Sequence, residues 1–176
     1  MKSERLHCSH EFPPYFNGDS KVLVLGSFPS AKSRAEAFYY AHPQNRFWRV
    51  LGGAYNEPAP VNLNEKKDFL KRHFIALWDV IECCDVLCSS DLSIKNAVPT
   101  NIVCLIKKCP VERIILNGKA AERYFFKFQK EIKLPVFSLP STSPANAAWK
   151  LESLIETWKC ALISKQASAK DCSQPM

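Results

Sequence analysis

The residues with the most evident chemical capacity lie in one ten-residue stretch, "YYAHPQNRFW", which begins at Tyr39. Its proline disfavours a helix through the middle, and it lacks the branched aliphatic residues of a core strand. Aromatic faces stack on nucleobases, and a carboxamide both donates and accepts hydrogen bonds. We therefore predict a pocket wall, with Tyr39 and Tyr40 as a stacking face and Asn45 as the polar group. Phe47 and Trp48 would anchor the following helix in the core.

Two loops add hydroxyl groups and backbone amides that suit a phosphate or a carbonyl oxygen. "GSFPS", which starts at Gly26, directly follows a strand-like run, and its proline stiffens the turn. "LPSTSPAN", which starts at Leu139, places three hydroxyls between two prolines just before a predicted helix, whose dipole favours an anion. Taken alone, each has a plain alternative, a strand-to-loop turn or a helix-capping loop. Neither loop is a Walker A or dinucleotide-binding motif, so we expect no nucleotide cofactor.

The composition indicates one globular domain inside the cell. With 176 residues, 47% of them hydrophobic and 23% charged, the chain can bury a core without disulfides. It has no apolar run of membrane-spanning length and no signal-peptide centre near its start. Its net charge of +7 favours an anionic partner such as nucleic acid. Its eight cysteines form no CxxC pair, so we expect reduced thiols and no metal.

Alternating strand and helix patterns predict the fold. Strands are expected at 21–27, 74–80, 111–118 and 134–140, and helices from about residue 48 and at 63–72, 100–109, 119–132 and 146–164. This alternation favours an α/β fold, a three-layer α/β/α sandwich around a mainly parallel sheet of about four strands. The expected divisions are an N-terminal extension at 1–19, the domain at 20–163 and a flexible polar tail at 164–176. Ligands of such sheets bind beyond the carboxyl ends of the strands, which directs attention to "GSFPS", "LPSTSPAN" and the strand ends "WDV" and "NG".

Taken in order along the chain, "GSFPS", "YAHPQNRFW" and "LPSTSPAN" resemble the uracil-DNA glycosylase superfamily over about residues 20–160. Members carry a Gly-x-x-Pro motif after the first strand and a Pro-Ser-x-x-Ser/Pro-type loop after the last. The segment "AHPQNRFW" is similar to the mismatch-specific uracil and thymine DNA glycosylases. The serine of "GSFPS", together with "SIKN" at 93–96 and "LPSTSPAN", looks most like the hypoxanthine-DNA (deoxyinosine) glycosylase branch.

The sequence also departs from parts of this superfamily. Classical uracil-DNA glycosylases carry an aspartate in the first motif and a histidine in the last, and the mismatch-specific branch has an asparagine in the first. Phe28 and either Thr142 or Ser143 stand at those places here, so the first motif lacks the usual water-positioning group. In the hypoxanthine branch the asparagine of the "HPxN" segment is thought to carry catalysis. That residue corresponds to Asn45.

The resemblance implies a role for each candidate residue. Asn45 would orient the attacking water or hydrogen-bond the leaving base, and Tyr40 would stack on that base. The expected base-binding residues are Gly26, Ser27, Phe28, Tyr40 and Asn117, and the expected DNA phosphate-binding residues are Ser30, Lys95, Ser141, Thr142 and Ser143. For Asn117 and Lys95 the structural alternatives are the end of a strand and the surface of a loop.

The implied reaction is hydrolysis of an N-glycosidic bond in DNA that contains deaminated bases, with hypoxanthine as the released base. The candidate loops hold no carboxylate pair and no lysine, so we expect a monofunctional enzyme. We also expect a monomer that uses neither a metal nor a cofactor. Uracil excision is the nearest alternative. A non-catalytic DNA-binding or damage-sensing module is a second, because "GSFPS" lacks an acidic residue. The sequence has no GxSxG elbow, which argues against a small-molecule α/β hydrolase.

Overall fold

Two sheets and six helices make up residues 6–86 and 93–163, the part of the chain that the computed structural model describes. The strands are β1 (Leu6–Ser9), β2 (Val22–Gly26), β3 (Ile75–Asp79), β4 (Ile81–Val86), β5 (Lys95–Pro99), β6 (Arg113–Asn117) and β7 (Val136–Leu139). The helices are α1 (Ala31–Ala35), α2 (Phe47–Tyr55), α3 (Leu63–Arg72), α4 (Ile102–Ile106), α5 (Lys119–Phe128) and α6 (Leu151–Ile163). The predicted tail at 164–176 lies outside the described residues.

The larger sheet is fully parallel, as predicted, and its strand order is β3-β2-β6-β7. Helices connect its strands along the chain, because parallel neighbours require a long crossover. The central strand β2 has the sequence "VLVLG", and all five of its residues are buried. A continuous apolar run of this kind is typical of a strand that is covered on both faces.

Alternate side chains of these strands enter two cores, one on each face of the sheet. Val24 packs in the core that holds α2, α3 and α6, whereas Leu25 packs in the core that holds α4 and α5. The predicted three-layer α/β/α sandwich is thereby confirmed. Phe47 and Trp48 are 0% and 6% exposed, so their predicted role as the anchor of α2 is confirmed as well.

The smaller sheet, which is antiparallel in the order β1-β4-β5, was not expected from the sequence. Most residues of β1 and β5 are exposed, so neither strand shows the apolar alternation by which strands are recognised. The predicted N-terminal extension is therefore part of the fold from Leu6 onward, and Phe12 within it is only 6% exposed. This sheet continues directly from the carboxyl end of β3, because only Val80 separates β3 from β4.

The predicted helices are present, with differences at their ends. α3 spans the expected residues, and Asn62 caps it by accepting a hydrogen bond from the N–H of Glu65. The last helix begins at Leu151 instead of near residue 146, since turns and bends occupy most of the segment before it. Those turns belong to the loop that follows β7.

The cysteines of the described residues are all free thiols, while Cys88 and Cys172 lie outside the described ranges. Burial is the main reason why the pKa of Cys84 is raised to about 12. Within the described ranges, no three His, Cys, Asp or Glu side chains are grouped so that they could hold a metal ion. In the same part of the chain, no helix is long and apolar enough to cross a membrane.

Candidate active site

A cavity of about 360 Å³ lies at the carboxyl ends of β2, β3 and β6. The three predicted motifs meet there, because the carboxyl ends of parallel strands share one edge of the sheet. The predicted site residues that line the cavity are Gly26, Ser27, Phe28, Ser30, Tyr40, Asn45, Asn117, Ser141 and Ser143. The lining also includes Pro29, Ser33, Tyr39, Asp79 and Ala145. Thr142 and Lys95 are not part of the lining.

The carboxamide of Asn45 is held in one orientation. Its Oδ1 accepts hydrogen bonds from the backbone N–H of Phe47 and from the hydroxyl of Thr142, each at 3.0 Å. A backbone N–H is always a donor, so the amide oxygen must face it and Nδ2 must lie on the other side. Among the described residues, none accepts a hydrogen bond from Nδ2. Asn45 therefore offers N–H donors to a ligand of the cavity.

Thr142 and Asn117 hold Asn45 in place through a chain of hydrogen bonds. Asn117, at the end of β6, donates from Nδ2 to the Thr142 hydroxyl and accepts the Thr142 N–H at Oδ1, both at 3.0 Å. Thr142 is 0% exposed, and its hydroxyl donates onward to Asn45. This contradicts the predicted phosphate contact of Thr142, because a sealed hydroxyl whose proton is engaged has no access to a DNA backbone. Base reading by Asn117 stays a prediction, and its observed contacts are those of a residue that positions the loop.

Arg46, to which the sequence assigned no role, fixes the loop after β7. Its guanidinium donates to the carbonyl oxygens of Ser143 at 2.9 Å, of Asn146 at 2.8 Å and of Trp149. Its backbone N–H donates to the carbonyl of Thr142 at 3.0 Å. These partners lie about a hundred positions further along the chain, and no sequence pattern links them to an arginine in the opening stretch.

Ser141 and Ser143 bring hydroxyl groups to the cavity. The Oγ of Ser141 accepts the N–H of Ser143 at 3.1 Å, and the Oγ of Ser143 accepts the N–H of Ala145 at 3.3 Å. These bonds occupy oxygen lone pairs and leave each hydroxyl proton for an anionic ligand. Gly118, with a φ of +94°, permits this close approach, because a Cβ there would lie 2.7 Å from the Cβ of Ser141. Phosphate binding by the two serines stays a prediction.

Ser30 and Lys95 differ from their expected placement. The Oγ of Ser30 accepts the N–H of Ser33 at 3.2 Å and donates to the Ser33 hydroxyl at 3.1 Å. Its oxygen therefore caps α1 and its proton is engaged by the Ser33 hydroxyl, which disagrees with the predicted phosphate contact. Lys95 is exposed, but it is the first residue of β5 and not part of a loop.

The two tyrosines of the opening stretch have different environments. Tyr40 lines the cavity, one face of its ring stacks on Phe47 at 3.8 Å between centroids, and its φ of +53° is rare for a residue with a side chain. Tyr39 is 2% exposed, and its hydroxyl donates to the carbonyl of Pro13 at 3.1 Å. Burial, and then the charge of Asp79, raise the pKa of Tyr39. Tyr39 also borders the cavity, but its ring is packed in the core, which disagrees with the predicted stacking role.

Asp79, a carboxylate that the sequence did not assign, lies in the same cavity. It ends β3, is 4% exposed, and its Oδ2 is 2.9 Å from Nε2 of His10. The strand end "WDV" marked this place, but one aspartate at a strand end is a weak signal, and its partner stands 69 positions earlier. A Cβ on Gly26 would lie 2.3 Å from Oδ1 of Asp79. A carboxylate on β3 thus lies beside the first motif, which itself carries none.

The fold and the cavity define an α/β protein with a cavity lined by polar and aromatic side chains at the carboxyl edge of a parallel sheet. The family model "Uracil DNA glycosylase superfamily" matches residues 13–162, and the chain belongs to this superfamily. The resemblance seen in the three motifs is thereby confirmed. As a member, the chain is a DNA glycosylase, and its macromolecular substrate is DNA.

Relatives and solved structures give the same result. A hypoxanthine DNA glycosylase of Methanosarcina barkeri is 34% identical over 115 residues, which are 64% of this chain and 73% of the relative. One of Methanosarcina acetivorans is 34% identical over 137 residues, which are 77% of this chain and 86% of the relative. The solution NMR structure of a candidate uracil DNA glycosylase from Methanosarcina acetivorans is 29% identical, with a TM-score of 0.75. That match covers 86% of this chain and 94% of the other.

Proposed function

We propose that the protein releases hypoxanthine from deoxyinosine in DNA by hydrolysing the N-glycosidic bond and leaving an abasic site. The observation that carries this proposal is the fixed carboxamide of Asn45, with its N–H donors toward a cavity at the strand ends. Two curated relatives that are 34% identical carry the name hypoxanthine DNA glycosylase. We further propose that the enzyme acts inside the cell, where its substrate lies, and that it acts as a monomer.

The reaction begins when the damaged nucleotide leaves the base stack and its base enters the cavity. The cavity of about 360 Å³ is within the usual range of small-ligand pockets. As the glycosidic bond breaks, negative charge develops on the departing base. An N–H donor fixed beside a base carbonyl stabilises that charge more in the transition state than in the ground state. Asn45 fulfils this role by donating from Nδ2 to the O6 of hypoxanthine.

Water is the nucleophile in this scheme. Among the described residues that line the cavity there is no lysine, so no lining side chain provides the amine of a Schiff-base mechanism. The rings of Tyr40 and Phe28, which both line the cavity, flank the base, and both side chains are partly exposed. Ser141 and Ser143 donate their hydroxyl protons to the phosphates beside the flipped nucleotide.

Uracil is the second candidate base, because its ring N–H lies between two carbonyls and offers the same kind of polar edge. Duplexes that carry inosine, uracil, xanthine or an ordinary base, followed by alkali cleavage, separate the two functions. We expect strand cleavage chiefly for inosine. Preferential cleavage at uracil would establish the alternative. An inactive protein that binds damaged DNA would establish the non-catalytic module.

The role of Asn45 is tested by two substitutions in single-turnover assays on inosine-containing duplexes. Asn45→Ala should lower the rate of hypoxanthine release by about 100-fold or more, because it removes a donor aimed at the developing charge. Asn45→Asp keeps an acceptor toward Thr142 but puts an oxygen where Nδ2 stands. It should therefore be at least as slow as Asn45→Ala.

The same two variants separate the roles that the sequence left open for Asn45. If Asn45 orients the water instead, an aspartate is the better acceptor and Asn45→Asp should retain or raise the rate. Gln44→Ala is the matched control, because Gln44 is the exposed amide next in the chain and lies outside the cavity lining. Its rate should stay within about twofold of wild type. An equally small effect of Asn45→Ala would remove Asn45 from the catalytic step.

A further inference from the structure

Asp79 and His10 form a buried pair in the wall of the cavity. Oδ2 of Asp79 accepts a hydrogen bond from Nε2 of His10 at 2.9 Å, and the two side chains are only 6% and 3% exposed. A carboxylate has no proton to donate, so Nε2 of His10 carries the hydrogen of this bond. The imidazole ring packs against Phe12 and Tyr39, at centroid distances of 4.5 and 6.0 Å. These contacts fix the direction of the donor and therefore of the carboxylate.

The second carboxylate oxygen of Asp79 is left for a ligand. Oδ1 lies where a side chain on Gly26 would stand, and the hydroxyl of Tyr40 would be 3.4 Å from the same point. Within residues 6–86 and 93–163, no donor is hydrogen-bonded to Oδ1. Oδ1 is also not one of the sealed polar atoms without a partner in that part of the chain, so the cavity reaches it. A largely desolvated acceptor of this kind is costly unless a ligand donor meets it.

We propose that Asp79, held by His10, recognises the ring N–H of the deaminated base. This inference rests on the proposed function and names the group that makes it selective. Deamination converts an amino group beside an unprotonated ring nitrogen into a carbonyl beside a ring N–H. The carbonyl requires a donor, which Asn45 presents at Nδ2, and the ring N–H requires an acceptor, which Asp79 presents at Oδ1. The two side chains line the same cavity and together match that edge.

Undamaged adenine and cytosine reverse both partners. Their amino group would meet the N–H of Asn45, and the lone pair of their ring nitrogen would meet the carboxylate of Asp79. A site built to hydrogen-bond its ligand rejects such a mismatch strongly, because its own buried polar groups are then left unpaired. Guanine carries the same carbonyl and N–H edge as hypoxanthine. Its rejection therefore depends on its 2-amino group and not on Asp79.

His10 is a positioning residue in this scheme and does not touch the base. Its hydrogen bond holds Oδ2, so that Oδ1 is the oxygen turned toward the base. Without that donor the carboxylate loses its described side-chain partner and can turn about its Cβ–Cγ bond. The segment before β2 thus contributes to selectivity, although its strand β1 lies in the other sheet.

The test compares two substrates that differ at the recognised edge. One duplex carries deoxyinosine, and the other carries deoxynebularine, whose purine base lacks both the carbonyl and the ring N–H. Single-turnover rates and half-saturating enzyme concentrations are measured for wild type and Asp79→Ala. Asp79→Ala should lower hypoxanthine release by roughly tenfold to 100-fold and leave purine release unchanged or faster. The substrate ratio is the rate on the deoxyinosine duplex divided by the rate on the deoxynebularine duplex. If purine release is too slow to time, the ratio of binding affinities for uncleavable 2′-fluorinated analogues replaces it.

Matched variants separate recognition from a structural effect. The chain contains a second His–Asp pair, His7 and Asp85, also at 2.9 Å but in the smaller sheet and outside the cavity lining. Asp85→Ala should leave the substrate ratio unchanged. His10→Ala should reduce the ratio as Asp79→Ala does, and His10→Gln, which restores an N–H donor, should recover it. Thermal unfolding of each variant reports any loss of folded protein.

Three outcomes would overturn the inference. Equal losses on both substrates in Asp79→Ala would assign the pair to structure alone. Identical ratios in His10→Ala and His10→Gln would remove His10 as the positioning residue. Wild-type rates on both substrates in Asp79→Ala would remove Asp79 from recognition. Failure of the proposed function is a separate result, because it appears as absence of hypoxanthine release by the wild-type protein.

Discussion

The hydroxyl of Thr142 connects the loop after β7 to the amide of Asn45. It accepts a hydrogen bond from Asn117 and donates one to Asn45, and no part of the residue is exposed. Phe47 provides the only other described partner of the Asn45 oxygen, through its backbone N–H. Thr142 is therefore the side chain that decides whether the donors of Asn45 stay directed at the cavity.

Thr142→Val should slow hypoxanthine release by about tenfold. Valine has nearly the shape of threonine but lacks the hydroxyl, so the amide of Asn45 loses one of two restraints and Asn117 loses its acceptor. Single-turnover rates at saturating enzyme measure the effect. The half-saturating enzyme concentration should change little, because Thr142 has no exposed surface with which to bind DNA.

Thr142→Ser is the control for this prediction. It keeps the hydroxyl and should retain a rate within about threefold of wild type. If valine and serine slow the reaction equally, packing of the methyl group matters and the hydrogen-bond chain does not. A rise in the half-saturating enzyme concentration without a slower maximal rate would instead support the DNA phosphate contact that was predicted from the sequence for Thr142.

At the scale of single residues, the sequence predicts which residues lie in the site better than it predicts what each of them does. Asn45 and Tyr40 could be proposed because polar and aromatic groups cluster around a proline, and both line the cavity. Thr142 received the wrong role because burial of a hydroxyl is decided by tertiary contacts that a loop motif does not show. Asp79 and His10 were missed because they are brought together by β3 and by the segment before β2, 69 positions apart.

Among the elements, the loop between β7 and α6 depends on a single side chain of the opening stretch. Arg46 precedes the first residue of α2 and donates to three carbonyls of that loop, those of Ser143, Asn146 and Trp149. A guanidinium suits this task because its donors lie in a rigid plane with fixed directions. Helix α2 and the serine-rich loop are therefore coupled, and displacement of one should displace the other.

Arg46→Ala should destabilise the fold by about 2–4 kcal/mol, because several partly buried carbonyls lose a charged donor at once. Urea unfolding followed by circular dichroism measures the change. Arg49→Ala, one turn further along α2 at an exposed position, is the matched control and should stay within about 0.5 kcal/mol. Equal stability of the two variants would show that the carbonyls find other partners and that the coupling is not built on Arg46.

The elements that position the site were largely predictable, and the reason is physical. Three of the four parallel strands end in glycine, aspartate or asparagine after a mostly apolar run, and helices such as α3 carry recognisable caps. The smaller sheet escaped prediction because β1 and β5 are mostly exposed and are stabilised by pairing with β4. Pairing partners far apart in the chain leave no local pattern.

On the scale of the whole molecule, the net charge of +7 supplies an attraction to DNA that does not depend on sequence. Only lysines and arginines near the cavity can contact the phosphates around a flipped nucleotide. The smaller sheet begins at the carboxyl end of β3, on the side of the parallel sheet where the cavity opens. Lys95, exposed at the start of β5, belongs to this sheet and is the lysine that the sequence proposed for phosphate binding.

Lys95→Ala should weaken DNA binding equally for inosine-containing and undamaged duplexes and lower the slope of log K against log salt by about one. The physical reason is that each phosphate contact releases condensed counterions whatever the base sequence. Fluorescence anisotropy over a series of salt concentrations measures the slope. Lys133→Ala is the control. Lys133 is exposed just before β7, at the amino ends of the parallel strands and not at the carboxyl ends where the cavity lies, so its loss should leave the slope unchanged. The same slope for wild type and Lys95→Ala would exclude Lys95 from the phosphate contacts, and a loss confined to inosine-containing DNA would place it near the base instead.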